Sequence, residues 1–403
     1  MSTPDFKLFT LFALIVACIV LRVSVEKTGY RSPDSADYLE VAQNIVDGKG
    51  FYYSTGNTST PNLSEKLSYF AIWPLGYPLL ISAFALIFPT SVFWASKLVN
   101  IFFLGLCFLL FRKMNNEKAY LLSLIMCSFT FLEVFSYTWS EAPFVFGILW
   151  FVYLVHRFLQ DENNNKYILL LFLCSLFLFL IRYIGGISFV ILGGISAWFF
   201  LRKNLKPALR LFFITILLSS IAGLYLYNNY LQTGYLTGGE RFYPDRESLG
   251  LFTWYLFVGL FNEFFIIRNY YWRGENPDSL FWFTSIIQIF LITFVYLKYL
   301  KEESVTISLK SNLIILYVAM GFIYLIVLTF LRFFSPFEPF DYRLLSPFSI
   351  CIYTAFFLFL TDANRSANIV GAYKYIILFF VASLILNLPK TYLVETLWNL
   401  IPE

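Results

Sequence analysis

Charge is scarce in this chain. Of 403 residues, 13% are Asp, Glu, Lys or Arg, roughly half the share a soluble globular domain carries. No run of basic residues offers nucleic acid a binding stripe, and none is expected as a partner. There is one histidine, His156, at the end of an apolar run beside Arg157. A single imidazole excludes a histidine metal cluster and argues against a Ser-His-Asp triad. The five cysteines, Cys18, Cys107, Cys127, Cys174 and Cys351, all sit inside apolar runs. Without C-x-x-C or metal-type spacing they read as small core hydrophobes rather than redox or zinc ligands.

Apolar residues fill the gap. Hydrophobic residues make up 59% and aromatics 21% of the chain, and the mean hydropathy is +0.70. A helical span needs about 20 apolar residues to cross roughly 30 Å of hydrocarbon. Eleven runs are candidates: 6–25, 93–112, 118–137, 139–158, 167–182, 184–202, 208–228, 279–299, 312–332, 344–361 and 372–389. No small-x-small cleavage site follows the first run, so it reads as an uncleaved span and not a leader. The class is therefore an all-α polytopic membrane protein, a single integral domain over 1–403.

Charge orients the spans. With the N-terminus inside, the inner loops are short and hold about two Lys/Arg per acid, while the outer side is acid-rich. Two further apolar stretches, 70–88 and 251–267, would invert every later loop if they crossed. They are expected as juxtamembrane helices on the outer surface, within long outer connections at 26–92 and 229–278. Function should lie on that side, where the polar chain is concentrated.

The first outer connection opens with SPDSADYLEVAQNIVDGKGF, residues 32–51. Ser32 or Asp34 reads as an N-cap with Pro33 in the first turn. Leu39, Ala42, Ile45 and Val46 recur at helical spacing, and Gly48 and Gly50 end the helix. Asp34 and Asp37 then share one face, with Tyr38 beside Asp34. Such acids are favoured by the helix dipole alone; beside a membrane a carboxylate can also act as general base.

The outer cations are arginines. Arg182 and Tyr183 end a span in IRYIGG, while Arg332 and Arg343 flank FFSPFEPFDY, where Tyr342 adjoins Arg343. Arg241 lies in GGERFYPDRES, a segment dense in charge, Gly and Pro that suits either a substrate cover or a solvated loop. An arginine fork matches phosphate oxygens, though it pairs equally well with acids. Glu141, in TWSEAPF, opens a span and either caps it or accepts sugar hydroxyls.

The order SPDSADYLEVAQNIVDGKGF, WPLGYPLLISAFALIF, TWSEAPF, IRYIGG and FEPFDYRLLSP resembles the C-type superfamily of membrane glycosyltransferases, near the protein O-mannosyltransferase and lipid A aminoarabinose transferase group. The likeness covers the first 200 residues best and then DYRLLSP; residues 229–310 match only in layout. It implies the C-type fold and a polyprenyl-phosphate-linked sugar donor. The acceptor would be a protein, glycolipid or polysaccharide. Asp34 matches the early outer-loop aspartate that acts as base or positions the acceptor, with Asp37 as the substitute because the acidic pair varies in spacing. Tyr38, Gly48 and Gly50 match the run that follows. Arg343 matches the arginine near the outer end of a late span and would hold the donor phosphate, helped by Arg182 or Arg241, with Tyr183, Glu141 and Tyr342 lining the substrate site. Several members work without metal, so no cofactor is expected to be obligatory; a divalent ion at Asp34 and Asp37 is the alternative. The composition fits a bacterial inner membrane. The rival reading is a transporter or flippase of a lipid-linked or anionic solute, which calls for interrupted helices and charges near the midplane.

Topology is directly testable. A cysteine at Ala36 should react with an impermeant maleimide from outside the cell, and one at Val305 only after permeabilisation. The opposite pattern would overturn the orientation.

Overall fold

The computed structural model describes residues 3–54, 67–240, 247–264, 279–301, 311–335, 337, 339–361 and 367–389. Helix α1 (Thr3–Val25) is followed by α2 (Pro33–Val46), strands β1 (Tyr52–Ser54) and β2 (Leu67–Tyr69), and α3 (Gly76–Ile87). Helix α4 (Val92–Met114) leads into α5 (Ala119–Ser123), a 3-10 turn over Leu124–Cys127, and α6 (Phe129–Ser136). Next come α7 (Glu141–Gln160), α8 (Asn165–Ile181), a 3-10 turn over Tyr183–Gly186, α9 (Ile187–Leu201) and α10 (Leu205–Thr233). The remaining elements are α11 (Leu249–Phe264), α12 (Ser279–Val295, continued by a π turn over Tyr296–Leu300), α13 (Ser311–Phe334), α14 (Tyr342–Leu360) and α15 (Ala367–Leu386).

Among the described residues, eight helices are long and apolar enough to cross a membrane: α1, α4, α7, α9 with its leading turn, α10, α13, α14 and α15. Two runs read as spans form shorter apolar helices. Helix α8 has 17 residues, about 25 Å at 1.5 Å per residue; the other is the described part of α12 with its π turn. Helices α3 and α11, with 12 and 16 residues, occupy the two stretches expected on the surface. The antiparallel β1–β2 ladder, with Tyr53 opposite Ser68, has no counterpart in the apolar periodicity. All five cysteines are buried and free.

The run 118–137 departs from a straight span. It bends by 74° between Cys127 and Phe129, where Ser128 is extended (φ −69°, ψ 156°). A break in a buried helix is tolerable only if its freed carbonyls find donors. They do: Ser383 Oγ donates to the Cys127 carbonyl at 2.8 Å. At the other end of α6, Lys97 Nζ donates to the Ser136 carbonyl at 2.8 Å, and Asn100 Nδ2 to those of Phe135 and Tyr137 at 3.2 and 2.6 Å. Lys97 also reaches the Tyr30 carbonyl at 3.2 Å. Helix α4 thus caps α6 and ties it to the chain leaving α1, which fixes the approach to α7.

Backbone contacts tighten the frame. A Cβ on Gly76 would lie 2.4 Å from the Leu180 carbonyl, and one on Gly259 2.4 Å from that of Phe340. These glycines let α3 meet α8 and α11 meet the start of α14. Arg22 of α1, 2% exposed, pairs with Glu133 of α6, donates to the Asn387 carbonyl at 3.2 Å and lies 4.8 Å from the centre of the Tyr30 ring.

Removing one partner of such a pair strands a buried charge. Arg22→Met should lower stability by about 3–5 kcal/mol, and adding Glu133→Gln should recover most of the loss. Thermal melting in nanodiscs reads both; an unchanged single variant would contradict the role of the pair.

Candidate functional site

The site forms where α2, α7, α8 and α14 meet. Ser32, and not Asp34, caps α2: its side chain accepts from the Ser35 N–H at 3.4 Å, and Ser35 Oγ accepts in turn from the Ser32 N–H at 3.0 Å. Pro33 opens the helix, and Gly48 follows its end with φ +73°. Because serine does the capping, the Asp34 carboxylate is released for a distant partner. Helix α2 is clasped by the α6–α7 connection. Ser35 Oγ donates to the Thr138 carbonyl at 2.9 Å, Trp139 Nε1 donates to Ser32 Oγ at 2.8 Å, and the Tyr38 hydroxyl lies 3.2 Å from Ser140 Oγ.

Glu141, the first residue of α7, is 1% exposed. Its Oε1 accepts from Arg343 Nε and from Arg182 Nη1, while Oε2 is buried with no hydrogen-bond partner. Arg343, 7% exposed, extends the chain of charges: its Nη2 lies 2.5 Å from Asp34 Oδ2. Its guanidinium sits 4.8 Å from the centre of the Trp139 ring, a cation–π contact that stabilises a desolvated charge. Asp341 places this arginine by capping α14, accepting from the Leu344 N–H at 3.0 Å. Arg182, at the end of α8, lies 6.0 and 5.9 Å from the Trp73 and Phe144 rings.

One turn along α2, burial first and then the neighbouring Asp34 and Glu40 push the Asp37 carboxyl up to about 6. Glu40 itself accepts from the Ser54 N–H and Oγ, both at 2.8 Å. Burial likewise raises the Tyr38 phenol, which stays neutral and braces Ser140.

Asp34, Asp37, Tyr38, Glu141, Arg182 and Arg343 therefore come together. Tyr342 is adjacent, its ring 6.2 Å from that of Trp139 and 5.3 Å from that of Phe129. Tyr183 serves elsewhere: its hydroxyl donates to the Ala71 carbonyl at 2.8 Å and accepts from Asn229 Nδ2 at 2.9 Å. Arg241 lies outside the described residues. Arg332 pairs with Glu247 through two bonds of 2.9 and 2.7 Å. Sequence reasoning named Ser32 only as a cap and missed Trp139 and Ser140 as the site's frame; their signal was TWSEAPF, read for Glu141 alone.

No family model matches the chain, and no curated protein matches it. Solved structures do. ArnT from Cupriavidus metallidurans bound to undecaprenyl phosphate superposes with a TM-score of 0.50 at 10% identity, over 94% of this chain and 70% of ArnT. The chain has the C-type glycosyltransferase fold. The archaeal oligosaccharyltransferase AglB from Archaeoglobus fulgidus, in complex with an inhibitory peptide and a dolichol-phosphate, gives a TM-score of 0.47 at 12% identity, over 95% of this chain and 56% of AglB. The chain thus spans little more than half of that protein. Within its C-type fold, this chain brings four widely separated segments, 32–38, 139–141, 182 and 342–343, onto one charged centre.

The Asp37 carboxyl has a testable consequence. A folded-state value of about 6, above the model-compound 3.8, means the native state binds the proton more tightly than the unfolded chain. Stability then falls as pH rises from about 4 to 6 and stays lower above that. Asp37→Asn should melt higher than wild type at pH 7.5 and match it near pH 4; equal melting at both pH values would refute the shift.

Proposed function

We propose that this protein is an inverting glycosyltransferase that moves a sugar from a polyprenyl-phosphate donor to an acceptor at the outer face of the membrane. The observation that carries the reading is the continuous chain Asp34–Arg343–Glu141–Arg182. It sets a carboxylate next to guanidinium groups, a base beside a phosphate binder. The likeness to ArnT, solved with undecaprenyl phosphate bound, supports the donor class.

In this reading the acceptor's oxygen or nitrogen attacks the anomeric carbon. The bond from that carbon to the phosphate oxygen breaks, and its electron pair stays on the phosphate. The acceptor's proton passes to the carboxylate pair, with Asp34 as the base and Asp37 beside it. Arg343 and Arg182, both largely buried, meet the negative charge as it develops on the leaving group, where water screens little. With that charge met by guanidinium groups, no metal or other cofactor is obligatory. The connection 26–92 supplies the catalytic carboxylates. The compartment proposed is the bacterial inner membrane. The sugar, hexose or pentose, and the acceptor, protein, glycolipid or polysaccharide, are open to assay.

Membranes carrying the protein should transfer label from a radiolabelled polyprenyl-phosphate sugar. Asp34→Asn and Asp37→Asn should each reduce transfer on the order of a hundredfold or more. Where Asp37 shares the acceptor's proton with Asp34, transfer should fall as pH drops through about 6, where Asp37 itself takes up a proton. Undiminished transfer by Asp34→Asn would remove it from the base role.

A further inference from the structure

Along the ion-pair chain, charge is matched before any donor arrives. Two guanidinium groups, Arg182 and Arg343, face two carboxylates, Glu141 and Asp34. The two acids are not equivalent. Glu141 is 1% exposed and holds both arginines through one oxygen, so it is fixed. The Asp34 side chain is 28% exposed and touches only the outer edge of Arg343, through Nη2. It is the removable partner.

A polyprenyl-phospho-sugar is a phosphodiester with one negative charge. If it entered while Asp34 still held Arg343, the buried site would carry an uncompensated negative charge, which low-dielectric surroundings oppose. If it replaced Asp34 on Nη2, Arg343 would still face one anion, and the displaced carboxylate, 28% exposed, would be left to water. The guanidinium fork suits either oxygen pair, and Trp139 holds its plane in place for both.

Building on the glycosyltransferase reading, we infer that donor phosphate and the Asp34 carboxylate compete for Arg343, so that donor binding itself frees the base. At rest Arg343 holds Asp34 Oδ2 through Nη2, so that oxygen is not offered to an acceptor. Once the phosphate takes its place, Asp34 Oδ2 is released from Arg343 and is free to meet the acceptor's proton. Donor therefore binds first and acceptor second. The lipid phosphate product keeps Arg343 occupied until it leaves.

Affinity separates this exchange from the function it rests on. Undecaprenyl phosphate binding to the full-length protein in nanodiscs is the readout. Asp34→Asn removes the competitor and should bind on the order of fivefold to tenfold tighter than wild type, while Arg343→Gln should lose binding. Asp37→Asn removes an equal charge without touching Arg343 and should shift affinity by no more than about twofold. Wild-type binding with equal or weaker binding by Asp34→Asn overturns the exchange and leaves the donor reading standing. No wild-type binding overturns the donor reading. Isotope trapping needs no variant: preloaded labelled donor should be carried into product on an acceptor chase, whereas trapping of preloaded acceptor would overturn the order.

Discussion

One buried carboxylate organises the α2 end of this molecule. Glu141 opens α7 almost without exposure and holds two arginines from α8 and α14. Two guanidinium groups on one oxygen repel each other, and a low-dielectric interior magnifies both the attraction and the repulsion. The arrangement stands because Asp34 supplies a second negative charge at the edge and because aromatic faces lie against the arginines. A site of this kind is sensitive to any added charge. The proposed binding of an anionic lipid headgroup would act through that sensitivity.

Precision in the site comes from irregular backbone. The segment Tyr137–Ser140 must leave α6, cross to α2 and enter α7 within four residues. Lys97 and Asn100 meet the carbonyls that α6 leaves open, and Thr138 and Trp139 then clasp the first turn of α2. Ring stacking of Tyr137 on Trp139, with centroids 3.9 Å apart, stiffens the same segment. Three of the charged side chains, Asp34, Glu141 and Arg343, thus sit on helix starts, and Arg182 closes α8.

The sequence made some of this legible. Apolar run length marked the long helices, because a bilayer imposes it. The string Ser-Pro-Asp-Ser marked the start of α2, because capping is local chemistry. Glu141 was ambiguous for a physical reason: an acid at a helix start looks the same whether it is solvated or buried against arginines. Its bond to Arg343 spans 202 positions, and nothing local encodes it. The bend at Ser128 was hidden too, since neither Pro nor Gly marks it and the serine that satisfies the freed carbonyl lies 256 positions away. Tyr183 shares a motif with Arg182 but points to Ala71 and Asn229, because a 3-10 turn begins between the two residues and rotates them apart.

The central claim is that Arg343 is the anchor for a lipid-borne phosphate. Cryo-electron microscopy of the protein in nanodiscs with undecaprenyl phosphate tests it most directly. The account predicts phosphate density within hydrogen-bonding distance of the Arg343 guanidinium, with Asp34 turned away from it. Phosphate density elsewhere, with the Asp34–Arg343 pair intact, would contradict it.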